Sequence, residues 1–202
     1  MWRPRAAVDY ADAMKLDDAR VCRILLVSGS LRTGSSNAAV LRTLQAVAPP
    51  GVAATIYTGL AELPHFSPDD DAEPLPVAVA TLRHQLAQSD GVMFSTPEYA
   101  GSLPGSFKNW LDWTVGEGLH RKPVGYTNAS AHGAAQGAHA TLRVVLGYVN
   151  ADIVEDACVQ LPVRRDAVTA DGTIHDVALR ERLTAALTAL ASHIAARRAD
   201  LP

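Results

Sequence analysis

Cysteine is nearly absent from this 202-residue chain, which has only Cys22 and Cys158. Neither lies in a CxxC or Cys/His spacing, so neither a disulfide framework nor a zinc site organises the fold, and both thiols are expected to be reduced and buried. An excess of one charge is missing as well. Eighteen Lys plus Arg stand against 21 Asp plus Glu, a formal net charge of −3, which leaves no electrostatic footprint for a nucleic acid or an anionic membrane. The first twenty residues, MWRPRAAVDYADAMKLDDAR, carry scattered acidic side chains and no continuous apolar core, so they read neither as a secretory signal nor as a membrane span. A cytoplasmic protein is the expectation. Aromatics are sparse at 5%, yet hydrophobic residues reach 48% and charged residues 19%, an ordinary globular composition that can bury a core. The length fits one domain over residues 21–202 behind an N-terminal extension over 1–20.

What is present is an alternation. Arg23 to Ser28 is a short apolar run ending in a Gly/Ser-rich loop, and SSNAAVLRTLQAVA follows with Val40, Leu41, Leu44 and Val47 at helical spacing behind Ser-Ser-Asn cap chemistry. The pattern repeats with a strand over Val52 to Tyr57, a long Pro/Asp-rich connection, and a helix from about Leu75 to Gln88. A strand over Gly91 to Thr96 precedes a helix around Ser106 to Trp113, and a strand over Lys122 to Ser130 precedes a helix from about Ala134 to Val149. A weaker strand near Asp152 to Val159 and a helix from Val177 to Arg197 close the chain. Nearly all-apolar strands alternating with helices predict an α/β fold, a parallel sheet covered on both faces.

Such sheets bind ligands beyond the carboxyl ends of their strands, so the loops after Val27, Phe94 and Tyr126 are the places to look. The first, VSGSLRTGSSN, combines the hydroxyls of Ser28, Ser30, Thr33, Ser35 and Ser36 with Asn37 and one guanidinium, Arg32, at a helix start. That set suits an anion such as a phosphate monoester. Ser35 stands where a triphosphate-binding loop needs Lys, and Leu31 follows Ser30 where the dinucleotide fingerprint needs Gly. In the second loop Pro97 and Pro104 stiffen the chain, Gly101 and Gly105 permit turns and close approach to a flat ligand, and Tyr99 offers an aromatic edge or lid. Trp110 and Trp113, three apart on the next helix, read as core or subunit interface. The third loop, TNASAHGAAQG, presents Ser130 and the backbone near His132 and Gly133 to a polar ring edge. His132 has no carboxylate or nucleophile beside it in sequence and reads as a capping or solvated His. The acidic run from Asp69 to Glu73 reads as a solvated loop, not a metal site.

Two motifs, Gly29-Ser30-Leu31-Arg32 with Ser35 and Asn37, and Pro97-Glu98-Tyr99 with Ser102, Pro104-Gly105 and Lys108-Asn109, resemble the NADPH-dependent FMN reductase family of flavodoxin-like proteins, which includes quinone, azo-dye and chromate reductases. The likeness spans Arg23 to about Val149. It implies a three-layer, doubly wound sandwich with a five-stranded parallel sheet in the order 2-1-3-4-5. It also implies FMN, with the phosphate on Ser30, Arg32, Ser35 and Asn37, beside Ser36, and the ring against Pro97, Glu98, Tyr99 and Ala100 with the Ser130, His132, Gly133 loop at its other edge. Ala100 stands where the family usually has Asn.

The implied activity is hydride transfer from NADPH or NADH through FMN to a quinone, free flavin, azo compound or similar acceptor by a ping-pong mechanism. No side chain is assigned as catalytic acid or base, because the cofactor carries the chemistry. A homodimer or homotetramer is expected, with Phe107, Trp110 and Trp113 as an apolar contact. A flavodoxin-type electron carrier and a flavin-free binding module on the same fold remain open alternatives.

Overall fold

The computed structural model describes residues 21–116, 118–130 and 135–199. Five parallel strands, β1 (Cys22–Ser28), β2 (Val52–Ile56), β3 (Gly91–Ser95), β4 (Pro123–Asn128) and β5 (Asp152–Gln160), form one sheet in the order β2-β1-β3-β4-β5. The helices are α1 (Ser36–Ala46), α2 (Val77–Ala87), α3 (Gly105–Asp112), α4 (Gln136–Tyr148) and α5 (Val177–Ala199). The flavodoxin-like arrangement and the strand order are those the sequence pointed to. The proposed extension over 1–20 lies outside the described residues.

Strand alternation explains the two cores. Leu25, Val27, Val92, Phe94, Val124 and Tyr126 face α2, α3 and α4, while Ile24, Leu26, Met93 and Ala157 face α1 and α5. All five residues of β3 are buried, which is why its sequence is a continuous apolar run instead of an alternating one. Ser35 caps α1 by accepting from the Asn37 N–H at 3.2 Å, and Val40, Leu41 and Leu44 form its buried stripe. Val47 closes that helix and packs, partly buried, against the same core.

Phe107, Trp110 and Trp113 are completely buried in the chain's own core. The ring of Trp110 packs edge-on against Phe94 at 5.6 Å and that of Trp113 against Phe66 at 5.0 Å. They are therefore unavailable as the intersubunit contact expected of them, because the short helix turns its apolar stripe inward over β3. The same helix ties down the Pro/Asp-rich connection. Asn109 accepts from the Phe66 N–H at 2.7 Å and donates to the Pro64 carbonyl, which also accepts from Trp113 Nε1. In the acidic run Asp71 pairs with Arg83 at 2.6 Å. Both cysteines are free; Cys22 is buried and Cys158 half-buried.

Crossing from β2 to β3 reverses the direction in which the sheet grows, and the C-terminal ends of β1, β3 and β4 finish level. Ser28 stands beside Ser95 and Ser95 beside Thr127, and the ladder continues through Gly29 N–H to the Ser95 carbonyl (2.8 Å) and Thr96 N–H to that of Thr127 (3.2 Å). Three loops thus leave one edge at the topological switch point.

Candidate cofactor site

Those loops enclose a cleft of about 320 Å³. Ser30, Arg32, Ser35, Ser36, Asn37, Pro97, Glu98, Tyr99 and Ser130 all line it. Ala100 lies just outside, exposed at the tip of the second loop, and His132 and Gly133 fall outside the described residues. The cleft wall also includes Asn128, Ala129 and Ala135, which the sequence reading did not single out. A polar Asn at the end of an otherwise apolar strand was the available signal.

Gly29 is required where it stands. A Cβ there would collide with the buried side chain of Thr96, so only glycine lets the first loop start this close to β3. The loop then folds on its own hydroxyls: Ser28 Oγ accepts from the Ser30 N–H at 3.1 Å, and Ser30 Oγ from the Arg32 N–H at 3.3 Å. Asn37 faces inward from the first turn of α1 and is almost fully buried. Its Oδ1 accepts from Ser95 Oγ at 2.9 Å and from the Ala129 N–H at 3.3 Å, joining the first loop to the ends of β3 and β4.

In the second loop Tyr99 and Ser102 exchange backbone hydrogen bonds of 3.0 Å around Ala100 and Gly101, whose φ values are +50° and +75°. Two consecutive left-handed residues define the tight turn that favours Asn-Gly. Asn, the residue usual at this position in the family, suits that left-handed backbone, and Ala100 itself is exposed and not part of the cleft wall. Glu98 turns its carboxylate to the third loop, where Oε2 accepts from the Ala138 N–H at 3.0 Å. It supplies the N-terminal cap that α4 otherwise lacks, with its negative charge at the positive end of the helix. Gly137 makes that contact feasible, since a Cβ there would strike the Gly101 carbonyl. Tyr99 remains half-exposed at the mouth of the cleft.

Residues 22–164 match the model for NADPH-dependent FMN reductases. The chain belongs to that family. A quinone reductase of Escherichia coli is 32% identical over 179 residues, covering 85% of this chain and 95% of the relative. An NAD(P)H-dependent FMN reductase of Pseudomonas aeruginosa is 32% identical over 173 residues, covering 83% and 92%. Among solved structures, FerB from Paracoccus denitrificans, a flavoenzyme NAD(P)H:acceptor oxidoreductase, superposes with a TM-score of 0.73 at 28% identity, over 87% of this chain and 98% of that one. Family membership makes the chain an oxidoreductase that uses FMN and NAD(P)H.

The donor set of the cleft fits FMN. The positive end of α1, the hydroxyls of Ser30, Ser35 and Ser36 and the Arg32 guanidinium make an anion cradle at one end. Residues 97–99, with Tyr99 at the mouth, and 128–130, with the small side chains of Ala129 and Ser130, line the other. No helix among the described residues is long and apolar enough to cross a membrane, and among them no cluster of His, Cys, Asp or Glu is placed to hold a metal ion.

Proposed function

We propose that this chain reduces quinones and related acceptors with electrons from NAD(P)H, using FMN bound in the switch-point cleft. FMN, when bound, supplies the hydride-accepting and electron-donating chemistry. The observation that carries the reading is the joining, in one cleft, of the hydroxyl- and Arg32-bearing loop at the α1 N-terminus with residues 97–99 and 128–130 from the two neighbouring strand ends. Ser30, Arg32, Ser35 and Ser36 hold the phosphate, and Asn37 holds the two neighbouring strand ends around it. Pro97, Glu98 and Tyr99 wall one side of the ring through their backbone, and Ser130 with its neighbours walls the other. The backbone N–H groups of Glu98 and Ala100, beside the Tyr99 N–H that is committed to Ser102, are the donors that would stabilise negative charge developing on the ring. One cleft admits donor and acceptor in turn, so ping-pong kinetics are expected. The same reading makes the protein a cytoplasmic homodimer or homotetramer. Val144 and Tyr148, 59% and 86% exposed one turn apart on α4, are one exposed apolar pair that such a contact could cover.

The test is to add FMN to the purified protein, desalt, and titrate anaerobically with NADPH. Retained absorbance that bleaches, followed by turnover with a quinone and parallel double-reciprocal lines, is the expected result. Retained flavin that NADPH cannot bleach points to an electron carrier, and failure to retain flavin removes the cradle assignment.

A further inference from the structure

His139 lies on α4, behind the cleft, in a chain whose mechanism has no acid or base. It is buried, with its ring edge-on to Tyr126 at 4.7 Å, and its Nε2 sits 3.2 Å from Asn128 Nδ2. The other end of the Asn128 carboxamide, Oδ1, faces the Ser130 N–H at 3.1 Å. A backbone N–H only donates, so the atom it meets must be the amide oxygen and the atom turned to His139 must be the NH2. Nε2 is then obliged to accept, and the imidazole is neutral with its proton on the other nitrogen.

We propose that His139 is a positioning residue for the cofactor: by accepting from Asn128 it fixes that amide so that Oδ1 holds the Ser130 backbone, one wall of the cleft. The inference rests on the FMN reading above. Together with Asn37, which holds the Ala129 N–H, it explains why two consecutive backbone donors are tied to two side-chain amides.

A consequence follows for pH. Burial holds the His139 imidazole below its usual value of 6.5, against the opposing pull of the Thr127 carbonyl and the Glu98 carboxylate. The other ionisable groups around it are Tyr126, whose Oη accepts from Arg143, and Arg143 itself, one turn along α4 and paired with Glu155. Neutral His139 is thus favoured by folding, an advantage complete above the ordinary imidazole value and lost as pH falls through the depressed one. On protonation two donors face each other, and relieving that clash turns Asn128 away from Ser130.

The experiment measures FMN affinity of the full-length apoprotein by flavin fluorescence in a pH series from 7.5 downward, carried through the His139 titration as followed by NMR, for wild type, His139→Gln and His139→Leu. Gln keeps an acceptor near Nε2 and cannot titrate. It is expected to match wild type at pH 7.5, whereas Leu weakens binding about tenfold, the scale of one lost buried hydrogen bond. As pH falls through the depressed His139 value, wild type is expected to lose about tenfold more affinity than the Gln variant, a comparison that cancels titration of the FMN phosphate itself, at about 6. Parallel curves for the two proteins overturn the proposal. Independently of any variant or flavin, nitrogen NMR of the histidine-labelled wild type at pH 7.5 must find Nε2 unprotonated, and a proton there overturns it too. Wild type that binds no FMN at pH 7.5 removes the cofactor reading instead, and the tautomer measurement still decides the His139–Asn128 geometry.

Discussion

Replacing Asn37 by Ala removes one amide oxygen on which two strand ends depend. The donors left behind, Ser95 Oγ and the Ala129 N–H, are both buried, and Ser95 is completely so. An orphaned buried donor costs about 1–3 kcal/mol, and the longer 3.3 Å bond to Ala129 belongs at the low end of that range. Alanine is the better helix former by about 0.5 kcal/mol, which offsets a small part. The net loss is about 1.5–3.5 kcal/mol, and in a domain of this size it lowers Tm by about 3–14 °C. Adding Ser95→Ala removes one of the two orphans, so the double variant is expected to be less destabilised than the sum of the singles by about 1 kcal/mol. FMN affinity should fall about tenfold in Asn37→Ala, because the Ala129 wall loses its tether. Calorimetry and flavin titration check both parts. A Tm within about 2 °C of wild type, with additive singles, would refute the claim that Asn37 clamps the three loops.

Ala100→Asn places the residue best suited to a left-handed turn at φ +50° on an exposed tip, and Tm is expected to rise by about 1–4 °C without change in FMN affinity. Arg32→Ala should weaken FMN binding about ten- to hundredfold and leave riboflavin binding unchanged, since only the phosphate is lost as a partner; equal losses for both flavins would place Arg32 elsewhere. Asp152 is partly buried, which pushes its carboxyl up, but hydrogen bonds from His193 at 2.7 Å and Arg197 at 2.6 Å, with their charges, hold it below its usual value of 3.8. Its contribution is complete above that value and lost as pH falls through the lower folded one, so the urea midpoints of wild type and Asp152→Asn should differ at about pH 5 and converge below about pH 4.

Much of the architecture was legible in the chain because it rests on local patterns. Buried parallel strands must be continuously apolar, and the helix after the first loop announces itself by its Ser35 cap and the spacing of Val40, Leu41 and Leu44. Nine of the candidate residues meet in one cleft for the same reason: they follow the ends of adjacent strands. What went unseen depends on direction. Trp110 and Trp113 read from the sequence as core or interface, and only the packing of α3 on β3 decides that they, with Phe107, are core. Glu98 sits in a cofactor motif, yet its carboxylate is spent on capping α4.

The sequence by itself determined the alternation of strand and helix, the polar chemistry of three strand-end loops and the absence of competing nucleotide motifs, because each is a property of neighbours along the chain. Tertiary structure alone decided that Asn37 holds Ser95 and the Ala129 N–H, and that His139 stands behind Asn128. Those contacts join residues up to 92 positions apart. A hydrogen bond over such a separation is set by how the strands register and the helices pack, which no local pattern encodes.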